Sequence, residues 1–154
     1  VFFGTLNAVC SSLGLVEGGV HCKKGDPERC GTKLVEYIKK EFGEVTVAHI
    51  GYQPGHVKAL TKAFRTLVTD LDPENIGKII HDTQILDGRV NEEVIKKADV
   101  ACITGSALIN GTFPELIEWC SRYSTHPIVY GVSAIGACYL LKIPHFCPYV
   151  RSSP

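Results

Sequence analysis

Methionine is absent from the chain, tryptophan occurs once, and neither sign of charge is in excess, with 16 basic residues set against 16 acidic ones. Without a basic surplus there is little to neutralise a phosphate backbone, so nucleic acid is excluded as the expected main partner. No apolar run approaches the roughly 20 residues that span a bilayer. No basic residue precedes the apolar stretch at the N-terminus, so a signal peptide is not expected either, and the chain is expected in the cytoplasm. The seven cysteines (10, 22, 30, 102, 120, 138 and 147) are odd in number and form no C-x-x-C pair. Buried thiols in a reducing compartment explain them better than a disulfide framework. The missing methionine and the start at Val1 are what a trimmed chain would have.

What is present is ordinary globular composition, 154 residues of which 45% are hydrophobic, enough for one core. Phe2, Phe3, Leu6, Val9, Cys10 and Leu13 recur at steps of three and four and predict a first helix, followed by a loop over residues 15–25. Asp26, Pro27 and Glu28 supply a helix start, and Cys30, Leu34, Ile38 and Phe42 continue it as an apolar stripe. The run 45–50 is β-branched and bounded by Gly43 and Gly51, as expected of a buried parallel strand. A helix over 56–65 and a strand over 66–71 complete a βαβ unit. A small strand at 84–86, a helix capped by Asn91, a strand over 99–104, a helix opened by a capping box of Thr112 and Glu115, a strand over 127–132, a helix after Ser133 and an edge segment over 144–148 follow. This alternation predicts a single α/β domain over residues 1–154. Residues 1–25 form its N-terminal helix and loop, and residues 26–154 form a Rossmann-like, open, mostly parallel sheet with helices on both faces.

Ligands of such sheets bind beyond the carboxyl ends of the strands. Three loops qualify. The first is Gly51, Tyr52, Gln53 and Pro54, with Asp70 and Asp72 ending the next strand. The second is Thr104, Gly105, Ser106, Asn110, Gly111 and Thr112, and the third begins at Tyr130 and Gly131. Asp70 follows Gly51 at the spacing of a ribose-binding acid, but the full G-x-G-x-x-G is missing and Pro54 removes a backbone donor, which argues against classical NAD binding. The second loop carries hydroxyls and amides without a strong acid or base, groups that orient a ligand better than they catalyse. His56 faces the expected pocket, whereas His49 lies inside a strand as a core residue. The local soft-donor clusters are His21, Cys22 and Cys30, and His145 with Cys147, none at zinc-finger spacing.

Taken together, Ile50-Gly51-Tyr52-Gln53-Pro54, the run over 71–77, Asp87-Gly88, Ala98-Asp99, Thr104-Gly105-Ser106, Asn110-Gly111-Thr112, Tyr130-Gly131 and Phe146-Cys147-Pro148 resemble a known family. It is the Rossmann-like domain family labelled putative heavy-metal chelation, and the resemblance covers residues 15–148. It implies a Rossmann-like fold, a role around a heavy-metal ion or a metal-containing cofactor, as in anaerobic corrinoid synthesis, and a pocket at these loops. Many members carry a further N-terminal enolase-like domain that helps to form the cleft, for which little more than one helix stands ahead of Gly14 here, so a shared site is expected either to be incomplete or to be completed by a second subunit in a homo-oligomer. The leading expectation is a binding domain for a small anionic or metal-bearing ligand. The alternatives are a transferase using an adenosyl-type cofactor at Gly51 and Asp70, and a non-catalytic subunit or scaffold. The sequence leaves open whether the chain is an enzyme.

Overall fold

β-Branched runs make the strands, and the flanking apolar stripes decide where the helices lie. The computed structural model describes residues 1–17 and 26–149, and the backbone of residues 151–152. The central strand β2 (Thr46–Ile50) pairs in parallel with β3 (Arg65–Asp70) and β6 (Val100–Thr104). With β4 (Ile79–Ile80), β5 (Thr83–Asp87), β7 (His126–Tyr130) and β8 (His145–Phe146), the sheet order is β4-β5-β3-β2-β6-β7-β8, in which β4 runs antiparallel to β5. A second, two-stranded sheet joins β1 (Val16–Glu17) to β9 (Arg151–Ser152). The predicted Rossmann-like α/β fold is therefore the fold of the chain.

Burial on both faces of β2 separates two cores. Val47 packs with Leu34, Ile38 and Leu60 of α2 (Asp26–Phe42) and α3 (Pro54–Ala63). Ala48 and Ile50 point the other way, towards Val94 and Ile95 of α4 (Asn91–Lys96) and Leu116 and Cys120 of α6 (Phe113–Tyr123). The short helix α5 (Ser106–Asn110) joins β6 to α6. On the first face, α2 and α3 approach backbone to backbone, because a Cβ on Gly31 would lie 2.1 Å from the Gly55 carbonyl oxygen.

The helix α1 (Phe2–Ser12) docks on α7 (Ile135–Leu141) by packing Leu6 and Cys10 with Ile135 and Tyr139, and one carboxamide ties it to the start of α7 and the turn before it. Asn7 Nδ2 donates to the carbonyls of Val132 and Ser133 at 3.0 and 3.1 Å, and its Oδ1 accepts from Gly136 N at 2.9 Å. Phe2 and Leu13, at the two ends of α1, stay exposed. Cys10, Cys102, Cys120 and Cys138 are buried thiols, and burial pushes Cys102 and Cys138 up to about 12 and Cys120 to about 11, which makes these three packing groups and not nucleophiles. No helix among the described residues is long and apolar enough to cross a membrane.

Local expectations change at the starts of α3 and α6. The helix α3 begins at Pro54, two residues earlier than its apolar pattern starts, because proline at the first turn has its φ preset and Gln53 accepts a bond from His56 N. Thr112 forms no capping box: its side chain makes no cap bond and Oγ1 donates to Asn110 Oδ1 at 2.8 Å instead.

Candidate functional site

The chain leaves β2 for β3 on one side and later returns to β6 on the other, so the strand order reverses between β2 and β6. Their carboxyl ends diverge there, which is where an open α/β sheet has room for a ligand. A crevice of about 250 Å³ occupies that point, with Tyr52, Asp70, Asn91, Thr104, Ser106 and Asn110 among its walls. Its floor is set by Gly51, at φ +89°, where a Cβ would lie 2.7 Å from Thr104 Cγ2, so both conformation and space require glycine. Tyr130 Oη donates to the Gly51 carbonyl at 2.8 Å and to that of Ile50 at 3.3 Å, which ties the loop to β7. Tyr130→Phe is expected to cost about 1–2 kcal/mol of stability in urea unfolding, since the part-buried Gly51 carbonyl loses its donor.

Of the residues expected at the site, Gly51, Tyr52, Gln53, Asp70, Thr104, Ser106, Asn110, Thr112 and Tyr130 line this one crevice. Gly131 lines the cavity next to it, while Pro54, Asp72, Gly105 and Gly111 line neither. Asp70 is a turn builder: it accepts from Tyr52 N at 2.8 Å, Asp72 N at 2.9 Å and Asn75 Nδ2 at 3.2 Å. Asp72 likewise accepts from Glu74 N at 2.9 Å in an exposed turn. Asn91, a helix cap by its sequence pattern, is instead the first residue of α4, buried, with Oδ1 accepting from Thr69 Oγ1 at 2.6 Å. Its register with Val94 and Ile95, on the inward stripe of the helix, is the signal in the sequence that it turns towards the sheet.

A larger cavity of about 1070 Å³ shares Gln53, Thr104, Ser106 and Tyr130 with the crevice and continues to Cys30, His56 and Cys147. Cys30 Sγ lies 3.0 Å from His56 Nε2, and His56 Nδ1 lies 3.3 Å from His49 Nε2. Both rings pack on Tyr130 at 4.8 Å between centroids. Burial lowers His56 to about 4, and burial with the neighbouring His56 holds His49 well below its ordinary value, against a weaker opposing effect of the Gly51 backbone. His49 Nδ1 nonetheless makes no hydrogen bond among the described residues. Both rings are therefore neutral at pH 7. Of the soft-donor candidates, Cys30 belongs to this cluster, while His21 and Cys22 lie outside the described residues. His145 is not part of it: its Nε2 bonds the Gly131 carbonyl at 2.9 Å. Among the described residues, no three or more acidic, histidine or cysteine side chains converge as a set that could hold a metal.

An open parallel sheet with a ligand-sized crevice at its switch point defines a Rossmann-like α/β domain. Residues 33–142 match the profile of the family described as "Putative heavy-metal chelation" (DUF364), and the chain belongs to that family. A crystal structure of a DUF364 protein of unknown function from Pyrococcus horikoshii is similar over 86% of this chain and 47% of that one, with 15% identity and a TM-score of 0.60. Another from Desulfitobacterium hafniense is similar over 69% of this chain and 41% of that one, with 16% identity and a TM-score of 0.53. The chain thus spans less than half the length of these two relatives, and at such identities the likeness bears on fold alone. No curated protein matches the chain.

Proposed function

We propose that the chain is a small-ligand-binding domain that takes up a soft heavy-metal ion or a metal-bearing ligand at the switch point, with Cys30 and His56 as its donors. The observation that carries this reading is the 3.0 Å contact between a thiol and a neutral imidazole in the wall of a cavity continuous with the crevice. Thiolate and imidazole are the donors that soft and borderline ions prefer. Since His56 is already neutral at pH 7, only the thiol must lose a proton for both to bind. Two protein donors are fewer than a closed structural zinc site uses, which suits an ion that accepts few ligands or arrives with some of its own.

Titration with Cd(II), followed by sulfur-to-metal charge-transfer absorption, tests the reading. One ion is expected to bind, with release of about one proton at pH 7. The signal should disappear in Cys30→Ser, weaken in His56→Gln and persist in Cys138→Ala. Unchanged stoichiometry in Cys30→Ser would remove the basis for the proposal.

The adenosyl-cofactor reading has less support. The Asp70 carboxylate that would hold a ribose already accepts three bonds, and Pro54 deprives the first turn of α3 of an N–H.

A further inference from the structure

Three side-chain carboxamides line the crevice: Gln53, Asn91 and Asn110. Each has its oxygen committed inside the protein. Gln53 Oε1 accepts from His56 N; Asn91 Oδ1 accepts from Thr69 Oγ1 at 2.6 Å; Asn110 Oδ1 accepts from Thr112 N at 3.1 Å and Thr112 Oγ1 at 2.8 Å. For Gln53 and Asn110 a backbone N–H dictates which amide atom is the oxygen. For Asn91 the short separation is that of an O–H···O bond and lies below the usual N–H···O range. Fixing an amide oxygen orients its NH₂, which can only donate.

The NH₂ of Asn91 makes no hydrogen bond to any described residue, although this side chain is only 6% exposed and lies in the crevice wall. His49 Nδ1 is the one fully enclosed side-chain nitrogen or oxygen without a partner among the described residues, so the Asn91 nitrogen keeps access to the crevice and is free to donate to what enters it. The remaining walls narrow what that is. Among the described residues no lysine or arginine lines the crevice to neutralise a full negative charge. The one carboxylate, Asp70, is occupied by Tyr52 N, Asp72 N and Asn75 Nδ2, and offers little to a ligand cation. An aromatic ring, that of Tyr52, stands in the same wall.

We infer that the crevice recognises an uncharged, acceptor-rich group, of the carboxamide, imide or ketone class, through the NH₂ groups of Gln53, Asn91 and Asn110. The inference rests on the reading that the switch-point crevice is where this domain holds its ligand, and it specifies the organic end of that ligand, away from Cys30 and His56.

Benzamide, benzoate and benzamidine have nearly the same shape and differ in what they present: an acceptor with a donor, an anionic acceptor pair, and a cation with donors only. Titrated into the ¹⁵N-labelled chain, benzamide is expected to shift the side-chain NH₂ signals of Gln53, Asn91 and Asn110 at the lowest concentration, benzoate at a severalfold higher one, and benzamidine at a concentration at least tenfold higher; benzoate binding as tightly as benzamide would overturn the uncharged class. Asn91→Asp keeps the shape and the bond to Thr69 but turns the inward donor into an acceptor. It should weaken benzamide at least tenfold and tighten benzamidine. The exposed Asn110→Asp, which puts less of the fold at risk, should move both affinities the same way by a smaller factor. Benzamidine binding in the crevice as well as benzamide would overturn the inferred class while leaving a ligand crevice in place. No shift of these signals with any of the three would overturn the crevice as a binding site, an outcome separable from the Cd(II) titration of Cys30 and His56.

Discussion

Gly31→Ala is expected to cost about 3 kcal/mol or more of unfolding free energy, at the severe end of overpacking. The added Cβ would lie 2.1 Å from the carbonyl oxygen of Gly55 and 2.7 Å from its carbonyl carbon. Both are backbone atoms within α3, so no side-chain rotation relieves the clash; α2 and α3 must move apart. Gly55→Ala meets the same barrier from the other side, 2.2 Å from the carbonyl oxygen of Pro27. The contact also sets the chemistry beside it, because Cys30 and His56 are the immediate chain neighbours of these two glycines. Separating the helices draws the thiol from the imidazole, so Cd(II) binding should weaken along with stability. Gly4 is the control, a helical glycine whose added Cβ would meet nothing within 4 Å, and alanine there should stabilise by about 0.5–1 kcal/mol. Urea unfolding of the three variants decides the matter. A loss below about 1 kcal/mol in Gly31→Ala would mean the helices are not in backbone contact.

Acidification from pH 7 to 4 is expected to remove about 3 kcal/mol of stability through His56 alone. Its pKa falls from 6.5 in the unfolded chain to about 4 in the fold, because burial penalises the charged ring. As the pH drops below 6.5 the unfolded chain takes up this proton and the folded one does not, so protons favour unfolding. The loss grows until the folded ring also protonates near pH 4. His49, wholly buried and lowered in the same direction, adds to it. Carboxylates can contribute to acid unfolding too, so the informative quantity is a difference. The slope of stability against pH between 6.5 and 4 should be shallower in His56→Gln than in the parent. Equal slopes would show that His56 is not buried in its neutral form. The neutral ring that makes the fold acid-sensitive is also what leaves His56 Nε2 able to meet a metal at pH 7 without first losing a proton.

Much of the architecture is local in origin and therefore legible along the chain. The stripe of Cys30, Leu34 and Ile38 is buried in α2, and the β-branched run ending at Ile50 is the central strand, because burial on a helix or strand face leaves a periodicity of 3.6 or 2 residues. The switch-point loops are also legible, since glycine is what lets a strand turn sharply into a helix; Gly51 and Gly131 both have positive φ. Asn91 is half legible, since its place on an apolar stripe shows the direction of its side chain but not the Thr69 hydroxyl that meets it. Thr112 misleads because the capping-box pattern does not register a competing acceptor, and Asn110, two residues earlier, takes its hydroxyl.

By itself, the sequence determined that this is an α/β fold with a parallel sheet, where its strands end, and which loops could face a ligand, for all of these follow from side-chain periodicity and backbone preference. Only the tertiary structure decided what those groups are free to do. It spent the Asp70 carboxylate on a turn, turned three carboxamides so that their donors remain, and brought Cys30 to 3.0 Å from His56 across 26 residues of chain. Such pairings depend on how helices and strands pack between residues distant in sequence, and a linear pattern carries no record of that packing.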